Sequence, residues 1–302
     1  MERANYFDVV IVGGSYAGLS AAMALGRSLR NVLVIDSGLP CNRQTPHSHN
    51  FITQDGETPL AISKKAREQV MRYPTVHFLD GVALSGVKTV EGFAITTKSG
   101  DTSMGRKLIL ATGIEDQLPD IKGFDQCWGI SVVHCPYCHG YEFRDQRTGI
   151  LANGDRAFHL ASLVNNLTDK LAILTSGPPT FSAHQLASLK RHGIEMIDGS
   201  VVEIVHRDGH LENVVFDDGT RTLFHALYAA VPFIQRSEIP VALGCDLTEH
   251  GHIKVDSLQR TTVEGVYACG DNSSPMRSVA NAVAAGNFTG AMVNSVLTEE
   301  AF

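Results

Sequence analysis

FDVVIVGGSYAGLSAAMALGRSLRNVLVID, residues 7 to 36, is the stretch whose reading sets the architecture of this chain. Residues 7 to 12 are mostly β-branched and hardly alternate, the pattern of a strand buried on both faces of a parallel sheet. A glycine-rich turn follows, Gly13-Gly14-Ser15-Tyr16-Ala17-Gly18. After it come a helix-favouring run over 19 to 29 and a second strand over 31 to 35 that ends in Asp36. Strand, glycine turn, helix, strand and acid, in that order, make a βαβ unit suited to a dinucleotide. The first glycine permits the turn, the last lets helix and strand pack closely, and free N–H groups at the helix start receive a pyrophosphate. Asp36 lies eighteen residues after Gly18, close to the gap of about 20 at which an acid takes ribose hydroxyls. Ser15 stands where the second glycine of G-x-G-x-x-G belongs, and it is small enough to leave the backbone approach open.

Working outward, a second unit of the same kind opens at Gly149-Ile150-Leu151-Ala152-Asn153-Gly154-Asp155-Arg156-Ala157, with a helical run to 166 and a strand over 170 to 175. Its chemistry is thinner. Ala152 replaces the first glycine, Arg156 enters the turn, and residues 176 to 181 supply neither an acid for a ribose 2′-hydroxyl nor an arginine for a 2′-phosphate. His206-Arg207-Asp208-Gly209 is basic but falls between two alternating segments, 201 to 205 and 211 to 216, and reads as a hairpin turn. Near the end, Gly265-Val266-Tyr267-Ala268-Cys269-Gly270-Asp271 is a short apolar strand closing in Gly-Asp, and 278 to 297 reads as a helix rich in small residues. Asp271 there is either a hold for a cofactor hydroxyl or the N-cap of that helix.

Between the two nucleotide turns lies His134-Cys135-Pro136-Tyr137-Cys138-His139-Gly140. A C-x-x-C-H run fits covalent haem attachment, half a zinc site, or a redox dithiol. The chain has 302 residues, 43% hydrophobic and 19% charged, with a formal net charge of −7, so it has no basic field for nucleic acid or an anionic membrane. We see no secretory signal and no apolar stretch of the roughly 18 to 20 residues that span a bilayer. The expectation is a cytoplasmic protein, which removes the context haem attachment needs. Zinc needs four ligands, usually as two close pairs, and only one C-x-x-C is present. Cys41, Cys127, Cys245 and Cys269 each stand alone and read as small buried hydrophobes. No metal site is expected; Tyr137 and Trp128 have two readings, packing near the dithiol or, as single aromatics usually do, filling the core.

The three cofactor-type blocks in this order, with the dithiol between the first two nucleotide turns, resemble the low-molecular-weight thioredoxin reductase family of FAD disulfide oxidoreductases. Ala111-Thr112-Gly113, after a strand at 108 to 110, adds to the match. The resemblance implies an α/β fold of two Rossmann-like domains, the second inserted in the first. The FAD-binding domain would comprise 1–116 and 241–302, and the nucleotide-type domain carrying the dithiol 117–240. It further implies that Gly13, Ser15, Ala17 and Gly18 surround the pyrophosphate and that Asp36 and Val82 lie near ribose and adenine. Asn50, Thr112, Gly113, Gly270, Asp271 and Ala280 would complete the FAD site. Cys138 would be the sulfur next to the flavin, Cys135 the sulfur that exchanges with substrate. A thioredoxin-like protein or a small dithiol or disulfide would be the partner, and a homodimer the assembly.

Three departures matter. His139 stands where the family usually has an aspartate after the second cysteine, the basic cluster after the second strand of the inserted domain is missing, and Arg-Gln-Ala ahead of the last helix appears as Val279-Ala280-Asn281. With His47-Ser48-His49-Asn50-Phe51 and Gln54-Asp55-Gly56, the dithiol segment looks closer to the dithiol-oxidase branch and to flavoproteins fed by donors other than NADPH. NAD(P)H is therefore a doubtful cofactor. The alternatives are a dioxygen-linked dithiol oxidase, a reductase fed by ferredoxin or a second flavin, and a flavin-binding regulatory protein without turnover. His139, with an ordinary pKa near 6.5, is expected to hold the proton as Cys138 becomes a thiolate.

Overall fold

The computed structural model describes residues 6–302, which form two compact units. One holds the chain up to Arg43, Phe51–Glu115 and Phe233–Phe302; the other holds Gln44–Asn50 and Asp116–Pro232. In the first unit β1 (Tyr6–Val12), α1 (Tyr16–Arg27) and β2 (Val32–Asp36) form the expected βαβ. Then come α2 (Pro59–Val70), β3 (Val76–Asp80), and the antiparallel series β4 (Ala83–Thr89), β5 (Gly92–Thr97) and β6 (Thr102–Leu110). The sheet order is β3-β2-β1-β6-β5-β4. The unbroken apolar run of β1 has a direct cause, since both faces of this sheet are covered. Val9 and Ile11 face one buried cluster with Leu25, Val293 and Leu297, while Val10 and Val12 face another with Phe93, Ile95 and Ile239.

β7 (Ile114–Asp116) leads into the second unit, through α3 (Phe124–Cys127), β8 (Val132–Val133) and α4 (Pro136–His139). β9 (Thr148–Leu151), α5 (Gly154–Val164) and β10 (Leu171–Leu174) repeat the βαβ, and α6 (Ala183–Arg191) and β11 (Glu195–Ile197) extend it. An antiparallel sheet of β12 (Val201–Arg207), β13 (His210–Phe216) and β14 (Arg221–Leu223) precedes β15 (Ala226–Ala229). The main sheet is parallel throughout, in the order β11-β10-β9-β15-β8. Between β12 and β13 the chain reverses on Asp208 and Gly209, at φ 52° and 80°, the two left-handed residues of a tight hairpin turn. The turn is confined to 208 and 209, and His206 and Arg207, read from sequence as part of it, end β12 and pair with Leu211 and His210.

The chain re-enters the first unit at β16 (Phe233–Gln235) and α7 (Ile239–Ala242), and closes with β17 (Val266–Ala268) and α8 (Val279–Glu299). The second division therefore falls at 232/233, ahead of the 240/241 read from sequence. β16 pairs with β7, and Ile239 is buried in the core under β1. β17 adds in parallel to the end of β6, so both chain ends build one sheet. α8 lies on α1 at glycine distance: a Cβ on Gly286 would stand 2.0 Å from the Ala17 carbonyl oxygen, and one on Gly290 2.6 Å from that of Ala21. Ser20 donates to the Val283 carbonyl at 2.7 Å, and Arg30 Nε to Asn294 Oδ1 at 2.7 Å. The small residues of α8 are what permit this approach. No helix among the described residues is long and apolar enough to cross a membrane.

Candidate functional site

In the first unit the glycine turn packs without slack. Gly13 sits at φ 105°, and a Cβ there would be 2.2 Å from the Ala111 carbonyl oxygen; a Cβ on Gly18 would be 1.8 Å from the Gly13 oxygen. Gly14 has the same constraint, with Asp36 Cβ at 2.7 Å from its would-be Cβ, and its N–H donates to Asp36 Oδ1 at 3.0 Å. One carboxylate oxygen of Asp36 thus braces the turn. Ser15 occupies the N-cap of α1 in extended conformation, yet its hydroxyl makes no capping bond, and the first turn carries no acid. The start of α1 therefore has a positive dipole end without a capping side chain or an acid in its first turn, which suits a pyrophosphate.

The other expected cofactor residues of this unit come from neighbouring strand ends. Val82 follows Gly81, whose N–H donates to the Asp36 carbonyl at 2.8 Å. Thr112 and Gly113 follow β6, and Gly270 and Asp271 follow β17, its partner in the sheet. Gly270 stands at φ 88° with its would-be Cβ 3.0 Å from Ala17 Cβ. Asp271 does not cap α8; Ser278 does, accepting from the Asn281 N–H. The Asp271 carboxylate instead stands 4.0 Å from Arg277 Nε and 3.9 Å from Cys41 Sγ. Cys41 is exposed, contrary to the buried role its isolation suggests. The other three lone cysteines are buried, and burial pushes the Cys127 and Cys269 thiols up to about 11 and about 12. Ala280 lies in the first turn of α8. Asn272 was missed: fully buried, it donates to the Leu110 carbonyl at 2.8 Å and to Thr112 Oγ1 at 3.2 Å. It ties the end of β6 to the segment after β17, and its place directly after Gly-Asp is its only sequence signal.

The second nucleotide turn has the same fold and the opposite chemistry. Asn153, the N-cap of α5, accepts from the Gly154 N–H at 2.8 Å. Its Oδ1 also accepts from the Thr180 N–H at 2.9 Å and from the Thr180 hydroxyl at 3.1 Å. Its amide donates to the Pro178 carbonyl at 2.9 Å and the Thr175 carbonyl at 3.3 Å. One side chain thereby folds the loop after β10 over the start of α5. Asp155 adds an acid to the first turn and accepts from Gln185 at 2.7 Å, so the dipole already has its anion. Arg156 points into solvent.

The dithiol is built at the end of β8. Cys135 is the N-cap of the short helix α4, Pro136 takes its first position, and the N–H groups of Cys138 and His139 both reach the Cys135 carbonyl at 3.2 Å. The C-P-x-C spacing therefore makes one helical turn, which carries both cysteines. Both are partly exposed, Tyr137 between them is 67% exposed, and Trp128 is buried against Phe124 and tilted toward His134. Tyr137 is thus a solvent-facing residue rather than packing for the pair. His139 is half-buried, and burial, followed by the charge of His49, lowers its pKa to about 4. His49 itself lies 3.5 Å from Glu142. His47, His49 and Asn50, the last at φ 59°, belong to the second unit with the dithiol, and the other expected cofactor residues belong to the first. The imidazole of His139 is neutral at pH 7. Moving a proton to it from a thiol of ordinary pKa costs about 6 kcal/mol, at about 1.4 kcal/mol per pKa unit, before the attraction of the new thiolate is counted. His139 is an acceptor that must be helped, not the ready proton store that its ordinary pKa suggests. Among the described residues no group of three or more His, Cys, Asp or Glu is placed to hold a metal ion.

The description of the pyridine nucleotide-disulphide oxidoreductases matches residues 7–286. The chain is 33% identical to thioredoxin reductase tcpT of Claviceps purpurea, across 98% of this chain and 96% of that one. It is 34% identical to thioredoxin reductase aclD of Aspergillus oryzae, across 97% of each. The crystal structure of an oxidoreductase from Agrobacterium tumefaciens superposes with a TM-score of 0.91 at 36% identity, covering 97% of this chain and 99% of that one.

Proposed function

Because the chain belongs to the pyridine nucleotide-disulphide oxidoreductase family, we propose that it is an FAD-dependent thiol–disulfide oxidoreductase working through Cys135 and Cys138 without NADPH as its electron source. The observation that carries this reading is the contrast between the two nucleotide turns. At α1 the helix start is uncapped and free of acid; at α5 Asn153 and Asp155 occupy it. Asn153 holds five hydrogen bonds there. At about 1 kcal/mol net for each, opening the loop for a pyrophosphate costs several kcal/mol, a hundredfold or more in affinity.

The residues of the first unit fit FAD. The pyrophosphate would be held at the start of α1 beyond Gly13 and Gly14, whose N–H groups are taken by the Ile35 carbonyl and Asp36, the ribose by Asp36 with Val82 beside it, and Thr112, Gly113, Gly270, Asp271 and Ala280 would complete the site. Bound flavin supplies a two-electron acceptor or donor that interconverts the dithiol and the disulfide. In the oxidising direction a substrate thiolate attacks Sγ of Cys135, the Cys135–Cys138 bond breaks, and Cys138 leaves as a thiolate. A second substrate thiolate then displaces Cys135, so the substrate departs as a disulfide and both cysteines are reduced. His139, adjacent to Cys138 in the chain, receives the proton of an attacking thiol while a thiolate is present to offset its low basicity.

The substrate is a small dithiol or a thioredoxin-like protein, the exposed face of α4 at Tyr137 being open to either, and the protein acts in the cytoplasm as a homodimer. Anaerobic stopped-flow mixing tests the donor. A dithiol bleaches the flavin band, while NADPH and NADH bleach it slowly or not at all and differ little. Millisecond reduction by micromolar NADPH with strong preference over NADH refutes the closed second turn. Readmitted air that restores the flavin within one turnover identifies dioxygen as the acceptor; failure of both dithiol and NADPH points to a protein donor such as ferredoxin.

A further inference from the structure

The strand beside the dithiol carries a tyrosine that the redox chemistry above does not use. Register pairs Tyr228 of β15 with Val133 of β8, two residues before Cys135. Register partners share one face of a sheet, and here that face is packed with Ile150, Ala157, Leu160 and Ala161. The Tyr228 side chain is 1% exposed, and its hydroxyl has no hydrogen-bond partner among the described residues. A buried phenol normally finds a partner, because burial takes away its bonds to water. Its apolar neighbours on β9 and α5 offer none.

The groups around the dithiol sharpen the point. From α4 come Cys138 and His139, from the turn after it Glu142, from the end of β8 His134, and from the 44 to 50 segment His49. Burial keeps the His139 imidazole neutral at pH 7, so it is no cation beside the thiolates. Burial first, then the charges of Cys135, Glu142 and Cys138, raise the pKa of Tyr228. The phenol stays protonated and serves only as a donor. Cys135 leads among the charges that act on it.

We propose that the Tyr228 hydroxyl donates a hydrogen bond to the Sγ of Cys135 when that sulfur is a thiolate, and so sets the reactivity of the exchanging cysteine. A neutral donor does this without placing a second charge in a half-buried site. The phenol gives up no proton, so it acts in both directions of exchange. This deepens the proposed function and rests on Cys135 as the exchanging sulfur.

The test uses the full chain with Cys138→Ser, which leaves Cys135 alone in the pair. Its iodoacetamide alkylation is followed by mass spectrometry of the Cys135 peptide from pH 5 to 10, with and without Tyr228→Phe. Tyr228→Phe removes one buried, unpartnered oxygen from an apolar core, so the fold is retained, and an unchanged or higher melting temperature and unchanged flavin content verify it. The expected result is a midpoint raised by about one pH unit and a rate at pH 7 lowered several-fold, as the thiolate fraction dictates. Coincident profiles overturn the proposal, and so does a midpoint that moves with His139→Gln but not with Tyr228→Phe. Alkylation needs neither substrate nor flavin reduction, so that failure leaves the redox reading standing. Undiminished dithiol-driven flavin reduction in Cys135→Ser overturns both.

Discussion

His139 couples the dithiol to pH through folding. The folded chain holds its pKa near 4, from burial and the charge of His49, against 6.5 in the unfolded chain. Between these values the unfolded state binds the proton and the folded state does not. Stability is therefore complete above about pH 6.5 and is lost as pH falls toward 4. At about 1.4 kcal/mol per pKa unit the loss is about 2 kcal/mol by pH 5 and about 3 kcal/mol once the imidazole is fully protonated. An unfolding entropy of about 2.1 cal/mol/K per residue turns 2 kcal/mol into roughly 3 °C if the whole chain melts together, and more if the second unit melts by itself. The assay is differential scanning calorimetry of the wild type and His139→Gln at pH 7, 6 and 5. The wild type should lose about 3 °C more than the variant between pH 7 and 5, because glutamine cannot take the proton. Parallel slopes for the two proteins would refute a neutral His139 in the fold, and with it the argument that the imidazole is a poor proton store at rest.

Gly286→Ala places a methyl where 2.0 Å separates it from the Ala17 carbonyl, so α8 must move off α1, at a cost of about 1 to 3 kcal/mol; calorimetry should show a lower melting temperature and absorbance a lower flavin content. Asp271→Ala should weaken retention of FAD, read as flavin lost on gel filtration, with Asp271→Asn retaining more than Ala does. Cys135→Ser should leave a thiolate beside the flavin, seen as a long-wavelength charge-transfer shoulder, while Cys138→Ser should abolish dithiol-driven flavin reduction; the reverse pattern exchanges the two roles.

Residues 7 to 36 were enough for the first βαβ unit, because a doubly buried strand, a turn that tolerates no Cβ at Gly13 or Gly18, and an acid at a strand end are all local demands on residue type. The helix starts at Tyr16, ahead of the apolar run that signals it, because the N-cap geometry of Ser15 decides where it begins. The union of the chain ends was not local information: it followed only from the resemblance carried by the order of the blocks, and β17 beside β6 with α8 on α1 is its structural form. Burial and long-range partners were not legible. Cys41 is exposed and Cys269 buried, though each stands alone in sequence. Asn153 reads as one more residue of a degenerate turn until Thr180, twenty-seven residues on, is seen bonded to it. His139 reads as an ordinary histidine until its half-buried position and His49 are known. Tyr228 reads as a core aromatic until strand register sets it beside the segment that carries Cys135. Hydrogen-bond satisfaction and desolvation depend on which distant atoms share a space, and those are properties that only the tertiary structure decides.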